Sequence, residues 1–147
     1  MNDSFVKKAG VLLFILSLVP VAYSRTLYVG ARAEYRTPCQ AFKNAQDGDI
    51  IEIDAAGIYS GDVCRISANN LRIRGVNGRA RIDAAGRDSE GKAIWVIGGN
   101  NAVIENIELS GCRVRDRNGA GIRQEGINLT VRNCYFHDNE DGIQNSV

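Results

Sequence analysis

His137 is the single histidine of this 147-residue sequence, and it stands in a run of acids with Asp138, Glu140 and Asp141. An imidazole there could act as base or acid near neutral pH. Residues 112–118 form a basic loop, C-R-V-R-D-R-N, and Arg123 and Glu125 lie on the strand that follows it. Arginines beside carboxylates can grip an acidic ligand through paired hydrogen bonds. His137, Arg123 and Glu125 are therefore the candidate catalytic residues. Arg113, Arg115 and Arg117, with Asp138, Glu140 and Asp141, are the candidate ligand-binding residues. The same residue types also compose an ordinary solvated loop and an Asn/Asp-rich turn.

Other chemistries find less support. There is no C-x-x-C pair and no His/Cys cluster with zinc spacing, so neither a metal nor a cofactor is expected. Residues 1–24 have the layout of a secretory signal peptide: Lys7 and Lys8, then an apolar run from Ala9 to Tyr23, then Ala22 and Ser24 before Arg25. The apolar run is shorter than the ~20 residues that span a bilayer. The expected protein is thus exported, periplasmic or extracellular, and free of the membrane once cleaved after Ser24. Removing Lys7, Lys8 and Asp3 leaves sixteen basic and sixteen acidic residues. That balance lacks the basic excess of a nucleic-acid partner.

Behind the signal, Thr26 to Gly30 reads as a strand. Thr37-Pro38-Cys39-Gln40 then reads as a helix start, with a capping threonine, proline in the first turn and Gln40 closing a capping box. The helix is expected to reach Gln46, turn Phe42 and Ala45 inward, and stop at Asp47-Gly48. This strand and helix, residues 25–48, form a lid over a strand beginning at Asp49.

Self-similarity organises the rest, residues 49–147. The run Asn70 to Val76 recurs as Asn101 to Ile107 and as Asn128 to Cys134, at offsets of 31 and 27 residues. A second register aligns Gly91 to Ile94 with Gly119 to Ile122, and Asn118 to Ile122 with Asn139 to Ile143. Within each copy apolar and polar residues alternate, as a strand with one buried face requires. The alternation slips at Gly75, Asn106 and Asn133, residue types that tolerate positive φ and could turn a sharp corner. Short strands, sharp corners and this period describe a solenoid whose stacked coils share one core.

Ile73, Ile104 and Val131 should then be axial neighbours. Cys134 falls in a buried column with Val76 and Ile107, Asn106 and Asn133 stack as an amide ladder, and Arg74, Glu105 and Arg132 form an outward charge ladder. Cys39 and Cys64 are the expected disulfide, tying the lid to the first coil.

The segment Ala41 to Gly61, A-F-K-N-A-Q-D-G-D-I-I-E-I-D-A-A-G-I-Y-S-G, resembles the N-terminal cap and first coil of the pectin-lyase-like superfamily. Leu129 to Ile143 is similar to its right-handed parallel β-helix repeat. The resemblance implies an all-β fold, a right-handed parallel β-helix with a short N-terminal capping helix. It also implies a carbohydrate ligand, though one fold hosts many activities. The W-x-D-H and R-x-P-x-x-R strings of pectate lyases are missing, as are the N-T-D, D-D, G-H-G and R-I-K strings of polygalacturonases.

The expectation is an exported carbohydrate-associated module, non-catalytic or catalytically incomplete, with a polysaccharide as partner. The alternatives are a lyase or epimerase acting on acidic sugars, and a structural or adhesive module. The sequence stops soon after Gly142-Ile143 opens another coil, which reads as a truncated copy of a longer protein. An open last coil could otherwise associate end to end with another chain.

Overall fold

A computed structural model describes residues 23–146. Residues 1–22, which carry nearly all of the expected signal peptide, lie outside the described residues. Among the described residues no helix is long and apolar enough to cross a membrane.

The first strand, β1 (Thr26–Val29), leads to the helix α1 (Pro38–Asn44). Four coils follow. The first contains β2 (Ile50–Asp54), β3 (Tyr59–Ser60) and β4 (Cys64–Ile66). The second has β5 (Arg72–Val76), β6 (Ala80–Asp83) and β7 (Ala93–Ile97). The third has β8 (Val103–Glu105), β9 (Ile107–Ser110) and β10 (Ala120–Gln124). The fourth has β11 (Thr130–Arg132), β12 (Tyr135–His137) and β13 (Asp141–Asn145). Like strands stack into three parallel sheets: β1-β2-β5-β8-β11 (sheet A), β3-β6-β9-β12 (sheet B) and β4-β7-β10-β13 (sheet C). The fold is a right-handed parallel β-helix.

Period-two alternation makes one face of each strand apolar, and stacking aligns those faces into columns. Leu27, Ile51, Ile73, Ile104 and Val131 are successive partners in sheet A. Ile51, Ile73 and Ile104 have no exposed surface. The outward column of the same sheet reads Glu52, Arg74, Glu105, Arg132, with ion pairs between Arg74 and Glu52 and between Arg132 and Glu105. Pairs this exposed each add about 0–1 kcal/mol. They keep the coils in register more than they stabilise them.

Corners are built from left-handed asparagines. Asn106 (φ 58°) and Asn133 (φ 48°) each turn the chain from sheet A to sheet B, and the Asn133 amide donates to Asn106 Oδ1 at 3.1 Å. A second ladder turns sheet C back to sheet A: Asn70, Asn101 and Asn128, all at φ of 56–59°, linked amide to amide at 2.9 Å. These three begin each repeat copy in the sequence, but the alternation does not mark them as corners because each falls before its strand.

Four expectations need correction. Gly75 is not left-handed: it lies inside β5, and Asn77 (φ 60°) and Gly78 (φ 130°) turn that corner instead. Glycine is required at position 75 by close approach, because a Cβ there would sit 2.2 Å from the Asn106 carbonyl oxygen. The longer corner also shifts the column, so Ala80 and not Val76 stacks on Ile107. In sheet C, Ala93 pairs with Ala120, one residue away from the alignment that matched Gly91 to Gly119. Finally, α1 ends at Asn44, since Ala45 is extended and Asp49 takes up the Gln46 amide at 2.8 Å.

The lid is capped from within and fastened to the coils by a hydrogen bond, a disulfide and an aromatic contact. The Gln40 side chain turns back to accept from the Arg36 and Thr37 amides, and Asp62, from the first coil, accepts from the Cys39 amide at 2.9 Å. Cys39 and Cys64 form a disulfide with Cα atoms 5.9 Å apart. Phe42 meets the fully buried Trp95 edge to face, with ring centres 5.2 Å apart. Cys112 is buried and Cys134 half-buried, and neither is bridged.

Candidate functional site

The three candidate catalytic residues belong to two different sheets. His137 ends β12 in sheet B, whereas Arg123 lies in β10 of sheet C and Glu125 just beyond it. Strand alternation then decides which side chains meet outside the solenoid.

On sheet B the outward columns are Arg81, Glu108, Tyr135 and, beside it, Ser60, Asp83, Ser110, His137. Tyr135 and His137 are two residues apart on one strand, so both project outward. Their rings stack with centres 4.5 Å apart and planes 23° from parallel. His137 Nε2 is 3.0 Å from Glu108 Oε1, and Nδ1 is 2.8 Å from Asp138 Oδ2. Glu108 also meets Arg81 at 3.4 Å. Tyr135 remains half exposed, so the stack presents an open aromatic face.

This geometry favours the charged form of the ring. A ring nitrogen facing a carboxylate must donate, and only imidazolium donates from both nitrogens. The Asp138 carboxylate, and then that of Glu108, raise the His137 pKa above its ordinary value. The two carboxylates thus favour the protonated ring, which cannot accept a proton until it has released one.

Sheet C carries a different cluster. Glu125 lies 2.6 Å from Lys92 and 2.8 Å from Arg65, which also reaches Glu90 at 3.1 Å. The Lys92 ammonium and the Arg65 guanidinium hold the Glu125 carboxyl below its usual range. Both its oxygens are occupied, and the network spans three coils. Arg123 instead bonds Gln144 at 3.1 Å and Ser146 at 3.2 Å, joining the third coil to the fourth.

The candidate binding loop is anchored to the last coil. Glu140 Oε2 accepts from the Val114 and Gly119 amides at 2.9 and 2.8 Å, and these two amides lower its pKa. Asn139 accepts from the Cys112 amide and donates to the Leu109 carbonyl, both at 2.9 Å. Arg113 donates to the carbonyl of Asp138, which brings the loop beside the His137 stack. Arg115 and Arg117 are exposed, and Asp141 accepts from Gln144 at 2.6 Å. Among the described residues no group of three or more His, Cys, Asp or Glu side chains is arranged to hold a metal ion.

The structure therefore gathers His137, Asp138 and Arg113 around two residues the sequence reading did not single out, Glu108 and Tyr135. Their shared signal is the 27-residue offset that also relates Ile104 to Val131. No family model, curated protein or solved structure matches the chain.

Proposed function

We propose that this chain is an exported, non-catalytic carbohydrate-binding β-helix module of pectin-lyase-like kind, whose ligand is an acidic polysaccharide. The observation that carries the reading is the open Tyr135–His137 stack on sheet B, flanked by Glu108, Asp138 and Arg113. An aromatic face offers the flat apolar surface on which a sugar ring can rest, while its polar edge and neighbours bond hydroxyls. The exposed Arg81, Arg115 and Arg117 supply partners for uronate carboxylates. The non-catalytic part of the reading rests on the occupied state of His137 and Glu125. The carboxylates beside His137 favour its protonated form, and Glu125 has the lowered pKa of a paired carboxylate instead of the raised one of a general acid.

Calorimetric titration of the protein with polygalacturonate, alginate and neutral dextran tests the proposal. Binding to the two uronic polymers, weakened by about ten-fold or more in Tyr135→Ala, is expected from the loss of a stacking contact. Binding to none of the three removes the proposal. Release of unsaturated or reducing ends in the same mixtures removes its non-catalytic part.

A second reading, self-association, is favoured by a separate observation. Phe136 and Val131 are only half-buried in the last coil, and Ile143 is 44% exposed, while their counterparts one coil earlier are fully buried. These partly exposed apolar residues offer a surface that a second copy of the chain could cover. Sedimentation of a monomer at all concentrations would exclude it.

A further inference from the structure

The sequence contains two Asn-Gly pairs, Asn77-Gly78 and Asn118-Gly119, and the fold treats them oppositely. Asn-Gly is the dipeptide most prone to lose its side-chain amide, because glycine leaves the following backbone nitrogen sterically open. That nitrogen attacks the asparagine Cγ, ammonia departs, and a five-membered succinimide closes. Water then opens the ring to aspartate or, through the other carbonyl, to isoaspartate. The attacking nitrogen must be free of hydrogen bonds and able to approach.

At Asn118-Gly119 it is neither. The Gly119 amide donates to Glu140 Oε2 at 2.8 Å, the Asn118 carbonyl accepts from Gln144 at 3.0 Å, and Gly119 is buried. At Asn77-Gly78 both residues are exposed, and the Gly78 amide donates to no group among the described residues. The Asn77 amide has one long contact, 3.4 Å, to Asp54. This corner spans residues 77–79, where the third coil uses the single residue Asn106. It is therefore two residues longer than the equivalent corner of the third coil.

We infer that Asn77 is a spontaneous deamidation site of the folded protein, and that Glu140 protects Asn118 from the same reaction. The change places a second carboxylate beside Asp54 at this corner. The isoaspartyl form adds one methylene to the main chain within an exposed corner, outside the paired strands β5 and β6. Gly78 O is also the acceptor of the Asn106 amide, so the modified corner stays tethered to the ladder.

Trypsin separates the two sites cleanly, giving Gly75–Arg79 and Asn118–Arg123. The folded protein is incubated in mildly alkaline buffer, digested, and each peptide is followed by mass spectrometry for conversion of amide to acid. Conversion of the 75–79 peptide about ten-fold or more faster than that of 118–123 is expected, since the protected amide must first break a hydrogen bond to a charged acceptor. The same incubation in guanidinium with the disulfide reduced should bring the two rates together. Equal rates in the folded protein, or faster conversion at 118–123, would overturn the inference, as would no conversion at 75–79. Glu140→Gln provides an independent arm, because weakening the bond to Gly119 should raise the rate at Asn118 and leave that at Asn77 unchanged.

Discussion

His137 makes the clearest case for what neighbours do to one side chain. Its pKa is raised by Asp138 and Glu108, so the folded protein holds the proton more tightly than the unfolded chain does. The stabilisation is therefore complete below about pH 6.5, the ordinary histidine value, and is lost as pH rises through the folded pKa. Titration of the single imidazole by NMR should give a midpoint above 6.5, and Glu108→Gln or Asp138→Asn should each lower it. A midpoint unmoved by both substitutions would mean the two carboxylates do not hold the ring. Asp138 could be named from the sequence because it is adjacent to His137. Glu108 and Tyr135 could not, since chemistry there depends on which residues stack 27 positions apart. Glu125 shows the converse: beside Arg123 and near acidic neighbours it has the composition of a site, yet the third dimension gives it Lys92 and Arg65.

At the scale of elements, the lid depends on a carboxylate that the sequence presents only as the first residue of a strand. Asp49 is almost fully buried and accepts from the Arg25 guanidinium at 2.6 Å and from the Gln46 amide at 2.8 Å. Burial works to raise its pKa, but the Arg25 guanidinium and the backbone amides outweigh it and leave the carboxyl below its usual value. Its contribution is thus present above about pH 4 and disappears as pH falls through the depressed pKa. Asp49→Ala should cost about 1–2 kcal/mol in urea unfolding, because it removes charge-assisted hydrogen bonds from the exposed Arg25 side chain and the Gln46 amide. A loss under about 0.5 kcal/mol, the level of an ordinary surface substitution, would show that the lid does not rely on it. The Cys39–Cys64 bridge closes a loop of 25 residues, so replacing both cysteines by serine should cost about 3 kcal/mol. The helix start was legible because Pro38 and Gln40 act locally. Its end was not, because Asp49 stops it from outside the helix.

Across the whole molecule the coils are not equally buried, and that gradient should be measurable. Alternation made the axial columns readable from sequence, since Ile73, Ile104 and Val131 occupy the same place in three copies. Gly75 was misread because glycine answers two demands, positive φ and close approach, and only the neighbouring Asn106 carbonyl tells them apart. How deeply each copy is buried is equally invisible to a pattern. Ile104 has coils on both sides and no exposed surface, while Val131 in the last coil is half-buried. Truncating Ile104 to alanine removes packed atoms and leaves a void, at a cost of about 2–5 kcal/mol. Truncating Val131 removes fewer atoms from a partly wetted site, so about 1 kcal/mol is expected from the area involved. Hydrogen exchange should follow the same order, with amides of β5 and β8 opening only in global unfolding and those of β11, β12 and β13 opening earlier. If Val131→Ala cost as much as Ile104→Ala, and the last strands exchanged as slowly as the middle ones, the last coil would have to be covered in solution. The Tyr135–His137 stack on β12 would then lie against that cover instead of at an open edge, and the Tyr135→Ala titration would read the two contacts together.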